Sequence, residues 1–327
     1  MKLTDFAGQK KAVELMDKAL KGDRVNHAYL FYGPEESGKF TFSLTMAKAL
    51  NCREGKGDSC NSCISCGKID RGIHPDVSVV EPEGKGIKIE QIRRIKTLSS
   101  FRPNEGEKKI YLLKDAHTLS LPAANSLLGI LEEPPSYVVF ILLAPQLSLL
   151  PDTVVSRCLC IPFNRVPRRE IYEFLKKQKS SLSDRQLWTA AHLAEGSIGR
   201  AVSMLNSDSW SQQREQAFTW WKGFIACSQK ELFSYVEELS REEHLLDFLN
   251  FIESYYRDCL IYQAAGIEEL IVNIDYLEEI KEMKPGSNEE LIQKIEVLEN
   301  FKRKMHIPLN KKLALEAMLV KMKGVTE

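Results

Sequence analysis

Residues 33–40, Gly33-Pro34-Glu35-Glu36-Ser37-Gly38-Lys39-Phe40, form the stretch whose types and spacing can do chemistry. In a G-x-x-x-x-G-K loop the glycines let the backbone curl, so that several amide N–H groups aim at one phosphate. A helix that follows adds its positive end. Gly33, Ser37, Gly38, Lys39 and Thr41 are the candidate contacts to ATP or ADP, with Lys39 placed to reach the outer phosphates. The residue after the lysine should be Ser or Thr, whose hydroxyl holds Mg²⁺, but here it is Phe40. A hard cation cannot use an aromatic ring as an oxygen ligand. The loop reads as a nucleotide site whose metal half has been removed.

Cysteines supply a second constellation. Four of the eight, Cys52, Cys60, Cys63 and Cys66, form a C-x₇-C-x₂-C-x₂-C array, with Gly55, Gly57 and Asp58 in its gap. Four thiolates at this spacing can close a tetrahedral Zn²⁺ site with no open position, which marks it as structural. Zinc-peptide binding energies of about 10–16 kcal/mol show how one ion can hold an insertion with little core. An iron–sulfur cluster is the alternative, although its usual spacings differ; a redox pair and plain packing are the others. Cys158, Cys160, Cys227 and Cys259 lie in apolar context and read as packing residues.

Phosphate-loop ATPases place acidic residues at the end of a second strand, where they hold Mg²⁺ and polarise the attacking water. The matching stretch here is residues 110–117, Ile110-Tyr111-Leu112-Leu113-Lys114-Asp115-Ala116-His117. Lys114 stands where the metal-holding Asp is expected, and only Asp115 is left at the neighbouring position. A cation there repels Mg²⁺ by roughly several kcal/mol at close range. It could instead oppose a phosphate or pair with Asp115. Phe40 and Lys114 strike the same metal and argue against ATP turnover at this site.

These residues need a frame. Ala28 to Tyr32, Asp76 to Val80, Lys109 to Leu113, Tyr137 to Leu143 and Leu159 to Ile161 read as strands. Helices are expected over Asp5–Gly22, Thr41–Leu50 and Ile89–Ser99, the last with Ile92, Ile95 and Leu98 inward. Another runs from Leu121, capped by Ser120 and stopped by Pro134-Pro135. Apolar strands alternating with helices imply a parallel sheet covered on both faces. After Pro167 the strands stop. Arg168–Lys177 and Asp184–Ala194 read as helices, and Gly196-Ser197-Ile198-Gly199 interrupts before Arg200. Farther on, one helical stripe joins Leu245, Phe248, Leu249, Ile252, Tyr256 and Cys259, and another joins Leu291, Ile295, Leu298 and Phe301. Pro285-Gly286-Ser287 separates them.

Basic and acidic residues balance at 45 each over 327 residues, so a polyanionic partner would need a local patch. No apolar run reaches the roughly 18 residues of a membrane span, and Met1 to Asp5 lacks an apolar signal core. A cytoplasmic location is expected, where cysteines bind metal or pack more often than they pair.

His27-Ala28-Tyr29-Leu30-Phe31, the phosphate loop, the cysteine array, His74-Pro75-Asp76, Asn125 to Pro135 and Ser156-Arg157-Cys158 occur in a telling order. The chain resembles the AAA+ subunits of the bacterial DNA polymerase III clamp loader, strongly over residues 1–165 and in architecture afterward. The resemblance implies a RecA-like α/β AAA+ domain with a zinc insertion (1–165), a small helical lid (166–206) and an all-α C-terminal collar (207–327). It also implies a five-subunit ring with tau/gamma and delta subunits, which loads the sliding clamp onto primer–template DNA. Membership would file the chain under DNA-directed DNA polymerase, a nucleotidyltransferase. The family's sensor position, usually Thr, is Ala144-Pro145 here. That favours the delta-prime branch over an active tau/gamma-like ATPase, which is the alternative, as is a nucleotide-sensing scaffold outside replication.

The same resemblance makes Arg157 an arginine finger acting in trans on a neighbour's ATP; the plainer reading is a brace at a strand end. It places Arg200 near the lid's sensor arginine, one position late. It lets Arg93, Arg94, Lys96 and Arg102 face DNA, where contacts would be sequence-blind and salt-dependent, unless they form only a solvated helix face. His74 and His117 read as structural.

Overall fold

The computed structural model describes residues 2–324, apart from 23, 56, 180–181, 207, 229, 243, 283–285 and 306–309. Pro285, read from the sequence as part of a break, therefore lies outside the described residues. The chain divides into two compact units, one of Met1–Phe174 with Ala194–Arg200 and one of Leu175–Leu193 with Ala201–Glu327.

The first unit is built on a parallel sheet. Its strands are β1 (Ala28–Tyr32), β2 (Val77–Val80), β3 (Lys109–Leu113), β4 (Val138–Ala144) and β5 (Leu159–Pro162), in the order β2-β3-β4-β1-β5. β3 and β4 are buried along their whole length, which explains their apolar sequences; the exception, Lys109, donates its Nζ to the Leu98 and Phe101 carbonyls. Alternate residues feed two cores. Tyr29, Phe31, Ile110, Leu112 and Ile141 face α1 (Lys10–Lys21) and α2 (Lys39–Asn51). Leu30, Tyr111, Phe140 and Leu142 face the opposite layer. Between α2 and β2 lies α3 (Ile64–Asp70), and the opposite layer holds α4 (Ile89–Ser99), α5 (Leu121–Glu132) and α6 (Asp152–Val155). This is the RecA-like AAA+ arrangement implied by the resemblance.

Several boundaries differ from expectation. α1 starts at Lys10 rather than Asp5, because Gly8 turns left-handed at φ +76 after a short 3₁₀ turn. A Cβ on Gly8 would stand 2.5 Å from a Val166 methyl. α2 begins at Lys39, two residues before the expected Thr41. On α4 the inward positions are Ile92, Ile95 and Ser99, while Leu98 is 41% exposed. Ser120 does cap α5, its side chain accepting from the Ala123 N–H.

Three helices follow the sheet: α7 (Arg168–Gln178), α8 (Asp184–Leu193) and α9 (Ile198–Asn206). The expected interruption is shorter than read, since Ile198 and Gly199 are already helical. The turn is made by Glu195 and Gly196, at φ +49 and +89. The second unit is otherwise α10 (Asp208–Ala226), α11 (Leu232–Ser240), α12 (Leu245–Ala265), α13 (Leu277–Glu282), α14 (Asn288–Lys304) and α15 (Lys311–Met322). Both stripes lie in or against its core, which centres on Trp221, Phe224, Tyr255 and Tyr256. No helix among the described residues is long and apolar enough to cross a membrane.

Candidate functional site

β1 ends between β4 and β5, with Tyr32 opposite both Ala144 and Pro162. The phosphate loop therefore leaves the middle of the sheet. The Gly33 N–H donates to the Ala144 carbonyl at 3.2 Å. A Cβ at Gly33 (φ +150) would lie 2.0 Å from the Phe163 carbonyl oxygen, so only glycine fits. Gly38, at φ +89, opens α2. Lys39 Nζ folds back and donates to the carbonyls of Gly33 and Pro34, each at 2.6 Å. Burial lowers its pKa, while Glu35 and Asp115 pull it the other way. From the turn before α9, Ser197 Oγ donates to the Glu36 carbonyl at 2.7 Å.

A cleft of about 340 Å³ opens beside the loop, lined by Glu35, Ser37, Arg165, Glu195, Ser197 and Arg200 among others. The Ser37 hydroxyl is buried with no partner among the described residues. An unpartnered donor in a cradle of this kind suits a phosphate oxygen. Arg200 and Arg165 each approach Glu195 at 3.8 Å. Arg165 and Glu195 carry no motif, and sequence reasoning missed them.

The metal half is filled by protein. Lys114 Nζ stands 4.0 Å over the centre of the Phe40 ring and 2.5 Å from Glu81 Oε1. The sequence offered Asp115 as a partner; the partner is Glu81. The reason is the sheet: the Lys114 N–H donates to the Val80 carbonyl at 2.9 Å, which brings the residue after β2 alongside. Asp115 is exposed, in a left-handed conformation at φ +47. Thr41 is exposed as well. An ammonium over a ring, with one carboxylate already engaged, offers poor ligation to a hard cation. The donor set fits a nucleotide's phosphates and does not fit Mg²⁺.

Arg157 lies on the segment between α6 and β5. Its Nη2 donates to Glu132 Oε1 at 2.7 Å, and its Nη1 to the Thr153 carbonyl at 2.9 Å. Its side chain is 35% exposed. Glu132, the last residue of α5, is a partner that sequence reasoning missed; the motif Asn125 to Pro135 contained it without assigning it work.

The four array cysteines converge, with all four sulfurs within 4.8 Å of one another and no disulfide. Zinc at about 2.3 Å from each sulfur would set them roughly 3.8 Å apart, so a small contraction would close the site. Cys60 and Cys66 sulfurs are already at 4.0 Å. N–H groups of Gly55 and Cys60 donate to Cys52 Sγ, and that of Cys63 donates to Cys60 Sγ. Such bonds stabilise thiolates. Hydrogen bonds from Ser62 and Cys63 pull the Cys60 thiol down to about 6, whereas burial pushes Cys66 up to about 12. The cluster can hold a metal such as zinc. Arg93, Arg94, Lys96 and Arg102 are all exposed on or just after α4. His74 is buried, its Nδ1 accepting from the Asp76 N–H.

Comparison with known proteins agrees with this geometry. Residues 8–167 match the family described as DNA polymerase III, delta subunit, and residues 208–324 match a second family, described as the C-terminal part of that same polymerase III component. The chain is 31% identical over 324 residues to DNA polymerase III subunit delta′ of Bacillus subtilis, covering 95% of each protein. It is 27% identical over 352 residues to subunit tau of the same organism, covering 97% of this chain but 60% of that protein. Among solved structures, a gamma subunit-related protein of Thermotoga maritima aligns with a TM-score of 0.52 at 20% identity, over 97% of this chain and 99% of that one. At that identity the likeness speaks to the fold. The chain belongs to the delta-prime family of DNA polymerase III clamp-loader subunits.

Proposed function

We propose that this chain is the ring member of a clamp loader that does not hydrolyse ATP and that presents Arg157 to the ATP of a neighbouring subunit. The observation that carries the first half is Lys114, seated over Phe40 and bound to Glu81 where a metal-holding carboxylate belongs. The phosphate cradle of Gly33, Ser37, Gly38 and Lys39 is kept, so nucleotide can bind without being turned over. For the second half, a guanidinium suits the charge that builds on a transferring phosphoryl group. Arginine fingers in GTPases are worth about 10³–10⁵ in rate.

In this reading the neighbour is a tau/gamma subunit, delta completes the five-membered ring, and the assembly loads the sliding clamp on primed DNA. Residues 166–206 act as the lid and 207–327 as the collar. Zinc holds the cysteine module, Arg200 is the lid's phosphate contact, and Arg93, Arg94, Lys96 and Arg102 face the DNA.

The test is turnover by the purified chain alone. With Mg²⁺ and ATP it is expected to release no phosphate above background. Turnover that disappears in Lys39→Ala would refute the proposal.

A further inference from the structure

Glu132 breaks a local rule. It is the last residue of α5, whose final turn holds no basic residue, and an acidic side chain there faces the negative end of the helix. Residues that violate local preference tend to serve something beyond their own element. Here that is Arg157, 25 residues later, at 2.7 Å.

The two gripping contacts come from different helices. Glu132 on α5 takes Nη2, and the Thr153 carbonyl on α6 takes Nη1, with Ser156 Oγ at 3.5 Å from the same nitrogen. A guanidinium carries five N–H donors in a rigid plane. Nε–H and one of the two N–H groups on Nη2 find no partner among the described residues. The guanidinium is thus held through both terminal nitrogens with two donors left open, in a side chain that still reaches solvent.

We infer that Glu132 is a positioning residue for Arg157: it fixes the guanidinium so that its open N–H groups meet the neighbour's phosphate in a set orientation. This rests on the finger reading proposed above. A surface ion pair adds little to fold stability, so its effect should show in rate. An arginine side chain freed from its clamp regains rotamer freedom worth roughly a tenfold factor. Glutamine would keep an amide oxygen able to accept from Nη2, whereas alanine removes the acceptor.

The experiment is ATP hydrolysis by the reconstituted loader, normalised to assembled complex, with Glu132→Ala, Arg157→Ala and the double variant. Glu132→Ala is expected to lower kcat about tenfold with a smaller change in KM, and to have no further effect on top of Arg157→Ala. Glu132 is half exposed, so assembly should be unchanged, as gel filtration would check. An unchanged or faster rate overturns the inference. An equal fall with and without Arg157 overturns it too, since the effect would then not pass through the arginine. If Arg157→Ala itself leaves the rate untouched, the finger reading fails and the inference fails with it.

Discussion

Lys114 and Arg157 each meet a glutamate in the sheet unit, at 2.5 Å from Glu81 and 2.7 Å from Glu132, yet the two cations are left with different freedom. Lys114 is a compact ammonium with a ring beneath it and a carboxylate beside it. On the reading proposed above, the place it fills is closed to a metal. Arg157 has a planar fork, so one carboxylate and one carbonyl can hold it while other donors stay open. Charge pairing alone does not separate the two cations. Their geometry does: pairing encloses a point charge, and it leaves donors of a fork open.

The sharpest way to break this contrast is to truncate both residues in the same reconstituted loader. Arg157→Ala is expected to lower ATP hydrolysis by about 10³-fold or more, by analogy with other arginine fingers. Lys114→Ala should change it by less than about twofold. Comparable losses would mean that the Phe40–Lys114 end takes part in the cycle after all.

A smaller effect is expected from the cysteine module, which begins at Cys52, the residue that ends α2. α2 starts at the phosphate loop, so one helix connects the module to that loop. Elemental analysis should find one zinc per chain, and Cys66→Ser should lose it. Loss of a structural metal is one of the large destabilising mechanisms. About 3 kcal/mol would lower Tm by roughly 5–10 °C in a unit of this size. The rate per assembled loader should hold. A rate that falls with the zinc would join the two regions that the contrast separates, and zinc-free protein of normal stability would remove the ion from the account.

The sheet and the helical stripes were legible because burial on both faces leaves an unbroken apolar run, and burial on one face leaves a period. Phosphate loop and cysteine array were legible because each chemistry fixes its spacing along the chain. Glu81, Glu132, Arg165 and Glu195 were not. Glu81, Glu132 and Arg165 meet partners 25 or more residues away through strand pairing or helix ends, and no spacing encodes that. Lys114 shows the limit well: its charge was read as hostile to Mg²⁺, but its partner was sought next door in Asp115. Parallel pairing of β2 with β3 put Glu81 there instead.

The smallest expected effect belongs to a residue outside both regions, which makes it a control on the contrast. Asp76 follows the buried His74 and accepts from the N–H groups of Asn104, Glu105 and Gly106 at 2.7, 2.8 and 2.9 Å. Burial alone would raise its pKa, but these N–H groups outweigh it and hold the carboxyl below its usual value. A carboxyl that titrates lower when folded adds stability above its unfolded pKa of about 3.9, and that part is lost as pH falls through the folded value. Asp76→Asn should therefore lower stability at pH 7 by about 1.5–3 kcal/mol, the range for charged hydrogen bonds. Its acid unfolding curve should also be flatter than that of the parent chain, measured by urea denaturation from pH 7 to pH 3. ATP hydrolysis by the assembled loader should not change. A shift in rate without a shift in stability would show that the turn at Asn104–Gly106 belongs to the working machinery, and that the contrast between Lys114 and Arg157 is drawn too narrowly.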